Sequence, residues 1–185
     1  MPASIAEYVP QFLSESEARA GRLRALAAWA ALLTAVTLFL CLIAAAPWAR
    51  AEGHETLAGV LYMSFGTVCH QMPERSFYLF GFPLAVCARC LGLYVGAAAG
   101  VLLYPAVRRL ERSDVPARGW LLVAAVPTSF DFALGLFGIW ANTHLSRFLT
   151  ASLLGAVAAF YIVPAVLDFG RRRRRRKHQQ REALA

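Results

Sequence analysis

Four long apolar runs, at 25–47, 83–107, 120–140 and 148–169, set the pattern of this chain. Each approaches or exceeds the ~20 residues a helix needs to cross the hydrocarbon of a bilayer. The expected fold is therefore all-α, a bundle of four transmembrane helices. Pro83 suits the first turn of the second helix, where its missing N–H costs nothing. Trp120 and Trp140 bracket the third at the depth interfacial rings prefer. Polar punctuation separates the runs: Arg108, Arg109, Glu111, Arg112 and Asp114 after the second, Asn142-Thr143-His144 after the third, and six consecutive arginines after the fourth. Residues 1–24 are polar to amphipathic, and Ser14 followed by Glu17 fits a capping box that would start a helix leading into the first run. Residues 48–82 form the expected loop between the first two spans. Its apolar piece, 57–68, is too short to cross and reads as a re-entrant or interfacial segment ending at Cys69.

Composition sharpens this to an integral membrane protein: 58% of residues are hydrophobic and only 16% charged. The first run is 23 residues long, beyond a signal-peptide core, and Ala46-Pro47-Trp48 is a poor cleavage site, so it is expected to be retained. The net charge of +8 does not point to nucleic acid, because eight of the 19 Lys and Arg lie in residues 171–185. Such a tail beside a span sets orientation and touches anionic lipid, here at the run from Arg171 to Arg176. With both termini cytoplasmic, fifteen of the 19 basic residues fall on the inner side, and only Arg50, Arg75, Arg89 and Arg147 face outwards. That asymmetry satisfies the positive-inside rule. The expectation is a multi-pass protein of the inner (plasma) membrane: a cytoplasmic amphipathic segment 1–24, a membrane domain 25–170 and a basic cytoplasmic tail 171–185. The bilayer is its expected partner, nucleic acid is not, and a homo-oligomer stays open.

The chemistry is concentrated between Cys69 and Cys90, which holds three of the four cysteines together with His70, Glu74, Arg75 and Arg89. Thiols, imidazole and guanidinium groups are costly beside hydrocarbon, so their grouping argues for a site. On a second helix running from Pro83, Cys87 and Cys90 lie on one face, roughly 6 and 10 Å below its outer end, and Tyr94 continues that face. Gly92, Gly96 and Gly100 fall on nearly the opposite face at the spacing of close helix packing, alongside Arg89. Asp131 lies roughly 13 Å deep in the third span, with Arg89 or Arg147 its expected partner. Asn142, His144 and Arg147 sit in the connection above. Cys41 reads as a small packing residue, with a role as fourth thiol kept open.

Two chemistries suit these residues. Cys69, Cys87 and Cys90 as thiolates, completed by His70 or Asp131, would hold a borderline metal, zinc being commonest. Arg75, Arg89, Asn142 and Arg147 would bind an anionic or lipid-like substrate beside it. Alternatively, Cys87 and Cys90 cycle between dithiol and disulfide while Cys69 passes electrons on. A third reading is a non-enzymatic bundle whose polar cluster fixes the fold or docks a partner. No nucleophile–base arrangement stands out, and the residues do not name a reaction.

The motif Cys69-His70-Gln71-x-Pro73-x-Arg75-Ser76-Phe77, followed by Cys87-Ala88-Arg89-Cys90-x-Gly92-x-Tyr94-x-Gly96, resembles an uncharacterised prokaryotic membrane family, domain of unknown function 2085. The resemblance covers roughly residues 65–160. Its downstream pattern of Pro, Asp-Gly, Asn and Arg with Thr-Gly matches Pro127, Asp131, Asn142, Arg147 and Thr150. Phe132 and Ala151 stand where that pattern has Gly. The family implies a membrane protein and no known activity. Four spans with a CxxC at the outer end of the second also look like the periplasmic disulfide-generating oxidases that pass electrons to quinone. Those enzymes carry a second cysteine pair between spans three and four, which this chain lacks.

Overall fold

The computed structural model describes residues 15–110 and 114–182. Ser14, half of the expected capping box, lies outside the described residues. Among them, five α-helices run in the order α1 (Glu15–Ala51), α2 (Glu55–Gly66), α3 (Ala88–Val107), α4 (Gly119–Leu136) and α5 (His144–Glu182), with a two-strand hairpin, β1 (Tyr78–Leu79) and β2 (Phe82–Pro83), before α3. Four are long and apolar enough to span a membrane, with crossing segments Ala18–Ala51, Ala88–Val107, Gly119–Leu136 and His144–Gly170. The short helix α2 packs on α1 and occupies the apolar piece expected to be re-entrant or interfacial.

The extensive α3–α5 contact organises the bundle. Gly92, Gly96 and Gly100 oppose the backbones of Phe148, Ser152 and Ala156, so the two helices run parallel. Gly155 reciprocates against Leu93 and Ala97. At each of these glycines an added Cβ would overlap the facing helix, so only hydrogen permits the approach. Helices α1 and α4 run antiparallel to α3: Phe39 meets Tyr94 and Trp29 Nε1 donates to the Val101 carbonyl, while Asp131 near the end of α4 meets Arg89 in the first turn of α3.

Two apolar clusters fill opposite ends. One gathers Ala25, Val101, Tyr104, Leu110, Ala159, Val163 and Leu167. The other gathers Ile43, Ala46, Phe65, Ala85 and Val86 around Cys69, with Cys87, Cys90 and Tyr94 packed against it.

Helix boundaries differ from the apolar pattern in two consequential places. Helix α3 starts at Ala88 and not at Pro83, because Pro83 is the last residue of the hairpin. Phe80 and Gly81 both take positive φ, at 53° and 83°, the two-residue turn whose twist suits paired strands. The Leu84 N–H returns to the Phe77 carbonyl, and the Tyr62 hydroxyl donates to the Pro83 carbonyl at 2.5 Å. Helix α4 stops at Leu136, four residues before Trp140. Gly138 takes φ 67° there, and the Phe137 and Ile139 N–H groups fold back to Ala133 and Leu134. A left-handed glycine just past the last turn is a common helix stop.

Candidate functional site

Those two boundaries set the depth of the site. Cys87 is the N-cap of α3, so it sits at the helix end and not one turn inside it. Asp131 is five residues from the end of α4, about 7 Å, and so shallower than a helix running to Trp140 would put it.

Cys69 arrives from the turn after α2, where its N–H is bonded to the Phe65 carbonyl, and its side chain is buried in the apolar cluster. The Cys87 N–H donates to Cys69 Sγ at 3.2 Å, a bond that a thiolate on Cys69 would strengthen. Cys90 follows one turn into the helix. The three sulfurs lie within 4.8 Å of one another, and all are free thiols. A tetrahedral zinc–thiolate centre with ~2.3 Å bonds separates its sulfurs by about 3.8 Å, so the arrangement is within on the order of 1 Å of a metal-binding one. This three-cysteine group could hold a metal ion.

Cys87, which precedes the span, is held well below the usual thiol range, to about 5. The hydrogen bond from the Cys90 thiol is the largest stabilising contribution, and those from the Cys90 and Arg89 backbones and the Cys69 thiol add to it. Together they outweigh burial, which acts the other way. Backbone N–H groups gathered at a helix start favour an anion there.

The other expected ligands do not join the sulfurs. His70 lines a cavity of about 320 Å³ with Cys69, Cys87 and Cys90, but its ring nitrogens are outside the close group. Asp131 is committed elsewhere: Oδ2 takes a hydrogen bond and ion pair from Arg89 Nη2 at 2.5 Å. The reason is positional, since α4 approaches α3 on the Arg89 face. Cys41 is exposed on α1 and lies apart from the group, so it is neither buried packing nor a fourth thiol here.

The anion-binding expectations do converge. Arg75, Arg89, Asn142 and Arg147 line a second cavity, of about 470 Å³, that shares Cys87, Cys90, Arg75 and Phe132 with the first. Asn142 Nδ2 donates to the Asp131 carbonyl, tying the loop before α5 to α4. Gly135 is required beneath it, because a Cβ would strike the Asn142 amide. His144 contacts the Glu74 carbonyl at 3.1 Å, and Phe77 packs on His144 and Phe148. These contacts bring Arg75 from its 3₁₀ turn, Pro73–Arg75, over the start of α5.

Three supporting residues were not legible as such. Gln71 takes φ 51° and donates to both the Tyr62 and Ala85 carbonyls, clamping the Cys69 turn to the segment between β2 and Cys87. Its place in Cys-His-Gln was the available signal. Ser76 is buried and donates to the Met72 carbonyl. Phe132 walls both cavities and lies 5.4 Å beneath the Arg89 guanidinium, a cation–π contact that its position in the pattern did not announce.

A family model described as "Predicted membrane protein (DUF2085)" matches residues 69–161, from the first site cysteine through the glycine-packed part of α5. The chain belongs to this family. Two archaeal relatives are each described as an uncharacterized protein. One, from Methanocaldococcus jannaschii, is 37% identical over 108 residues, 58% of this chain and 69% of its own. The other, from Methanothermobacter thermautotrophicus, is 33% identical over 88 residues, 48% of this chain and 78% of its own. No solved structure matches. The matched family segment contains the three site cysteines, Arg75, Arg89, Asp131, Asn142 and Arg147 together.

Proposed function

We propose that this protein is a membrane-embedded metal-binding protein whose Cys69, Cys87 and Cys90 thiolates hold a zinc-type ion at the extracytoplasmic face, next to an anion-binding cavity. The observation that carries the reading is the convergence of three free sulfurs within 4.8 Å from two separate chain segments. Thiolate donors suit zinc and softer ions, and a bound ion there would supply Lewis acidity or a structural clamp. The chain's own part is to present the sulfurs: the Cys69 turn is buried and clamped by Gln71, and the start of α3 holds Cys87 as thiolate. His70, on the same cavity wall, is within the neighbourhood from which a fourth donor would come. Placement of the site outside, with both termini cytoplasmic in the plasma membrane, is supported by the fifteen basic residues that this orientation puts inside. The arginine-rich tail then meets anionic lipid of the inner leaflet.

The deciding experiment is metal content and free-thiol count on one sample of protein purified without reductant or chelator, with Cys90→Ser beside it. About one metal per chain, lost in the variant, is the expected result. A metal-free protein would overturn it.

Thiol–disulfide exchange with quinone as acceptor is the second reading, favoured by one observation: Cys87 is a helix N-cap thiol of low pKa, with Cys90 one turn on. In that case the same sample is metal-free, and Cys87 and Cys90 resist alkylation until reduced.

A further inference from the structure

Three guanidinium groups on one cavity wall are an electrostatic imbalance that the metal reading leaves unexplained. Arg75 comes from the 3₁₀ turn, Arg89 from the first turn of α3 and Arg147 from the first turn of α5. Asp131 neutralises Arg89. Among the described residues, neither Arg75 nor Arg147 has a carboxylate within ion-pair distance, so the guanidinium groups outnumber the anions on this wall even with the Cys87 thiolate counted. Arg89 Nε is buried and has no hydrogen-bond partner, and neither does Asn142 Oδ1. Like charges gathered on one cavity wall, with a buried donor unfilled, call for an anion. Guanidinium groups match phosphate oxygens with paired, charge-assisted hydrogen bonds.

The rest of the cavity is of a different kind. Phe132, Leu136 and Trp140 form an apolar wall and remain 53%, 68% and 63% exposed. They stand on, or just past, the end of a helix apolar enough to cross a membrane. The cavity therefore opens from its arginines towards where acyl chains would lie.

We propose that this cavity binds a phosphate monoester carried on an apolar chain, with the phosphate on Arg75, Arg89 and Arg147 and the chain leaving over Phe132, Leu136 and Trp140. A phosphomonoester offers three acceptor oxygens to the three guanidinium groups, where a single carboxylate offers two. The buried Asn142 acceptor suits a hydroxyl or a protonated phosphate oxygen. This inference stands on the arginines and the apolar wall, not on an ion at the thiols.

The test uses the full chain in neutral detergent, its metal content measured first, with dioleoyl phosphatidic acid, the matching diacylglycerol and inorganic phosphate as probes. Phosphatidic acid is expected to bind, and diacylglycerol to bind at least tenfold more weakly. Arg75→Gln and Arg147→Gln should each weaken phosphatidic acid at least tenfold, while Arg118→Gln, at the start of α4, changes it less than twofold. Arg75 is exposed, so its variant should fold; Arg147→Lys, recovering part of the loss, guards against misfolding of the glutamine variant. Inorganic phosphate binding as tightly as phosphatidic acid would keep the phosphate seat but overturn the apolar chain. Equal binding of phosphatidic acid and diacylglycerol, or indifference to both glutamine variants, would overturn the proposal. Binding that persists in metal-free protein would uphold it while removing the metal reading.

Discussion

The two faces of α3 are built on opposite rules. One face, Gly92, Gly96 and Gly100, is pressed against α5 so closely that nothing larger than hydrogen fits. The other, around Cys87 and Cys90, borders two cavities, and Arg89, at the outer end of the glycine face, keeps a guanidinium nitrogen without a partner. Between helices in lipid there is little hydrophobic drive to associate, so the closed face supplies van der Waals contact and fixes the register of α3 on α5. That register brings Arg147 onto the same cavity wall as Arg89. The packed seam is thus what makes an open, polar site affordable a few ångströms away.

Breaking the seam should have the largest effect. Gly96→Leu drives a side chain into the Ser152 backbone, and a loss of more than about 3 kcal/mol, read as unfolding at lower denaturant or absence of folded protein, is expected. Removing one sulfur should instead spare the fold and empty the site. Cys69→Ser should lower metal stoichiometry from about one per chain to near zero, measured by elemental analysis of folded protein.

Asp131→Asn sharpens the comparison between ligand and counter-ion. Because the carboxylate pairs with Arg89, the variant should lose roughly 2 kcal/mol of stability, less than for a fully buried pair since Arg89 is partly exposed. It should retain its metal, and loss of metal with stability intact would make Asp131 a ligand after all. The smallest effect is one of titration. In metal-free, reduced protein, Cys87 should be alkylated with a midpoint near pH 5, its thiolate present above that pH and lost below it. An unperturbed thiol has its midpoint near 8.5. A midpoint near 8.5 would show that the start of α3 does not hold the anion.

Much of this was legible along the chain. The four apolar runs, the glycine spacing and the density of thiols and charges from Cys69 to Cys90 are properties of neighbouring residues. Helix length, face and hydropathy follow from them directly. Legibility failed where a short local signal overrode a longer one. Pro83 looked like a helix start, but the Phe80-Gly81 turn made it the end of a hairpin. The run to Trp140 looked like one span, but left-handed Gly138 ended α4 early.

Sequence by itself thus determined a helical membrane chain with a chemical cluster, because spanning segments are defined by length and composition. Tertiary structure alone decided membership of that cluster. Asp131 pairs with Arg89 because α4, packed on α5, ends beside the first turn of α3, Cys41 lies apart from the three sulfurs, and Phe132 becomes a cavity wall. Gln71 holds the cysteine turn by reaching carbonyls 9 and 14 residues away. Which polar groups neutralise one another depends on the angle and register at which helices meet, and residue spacing within one helix carries no information about either.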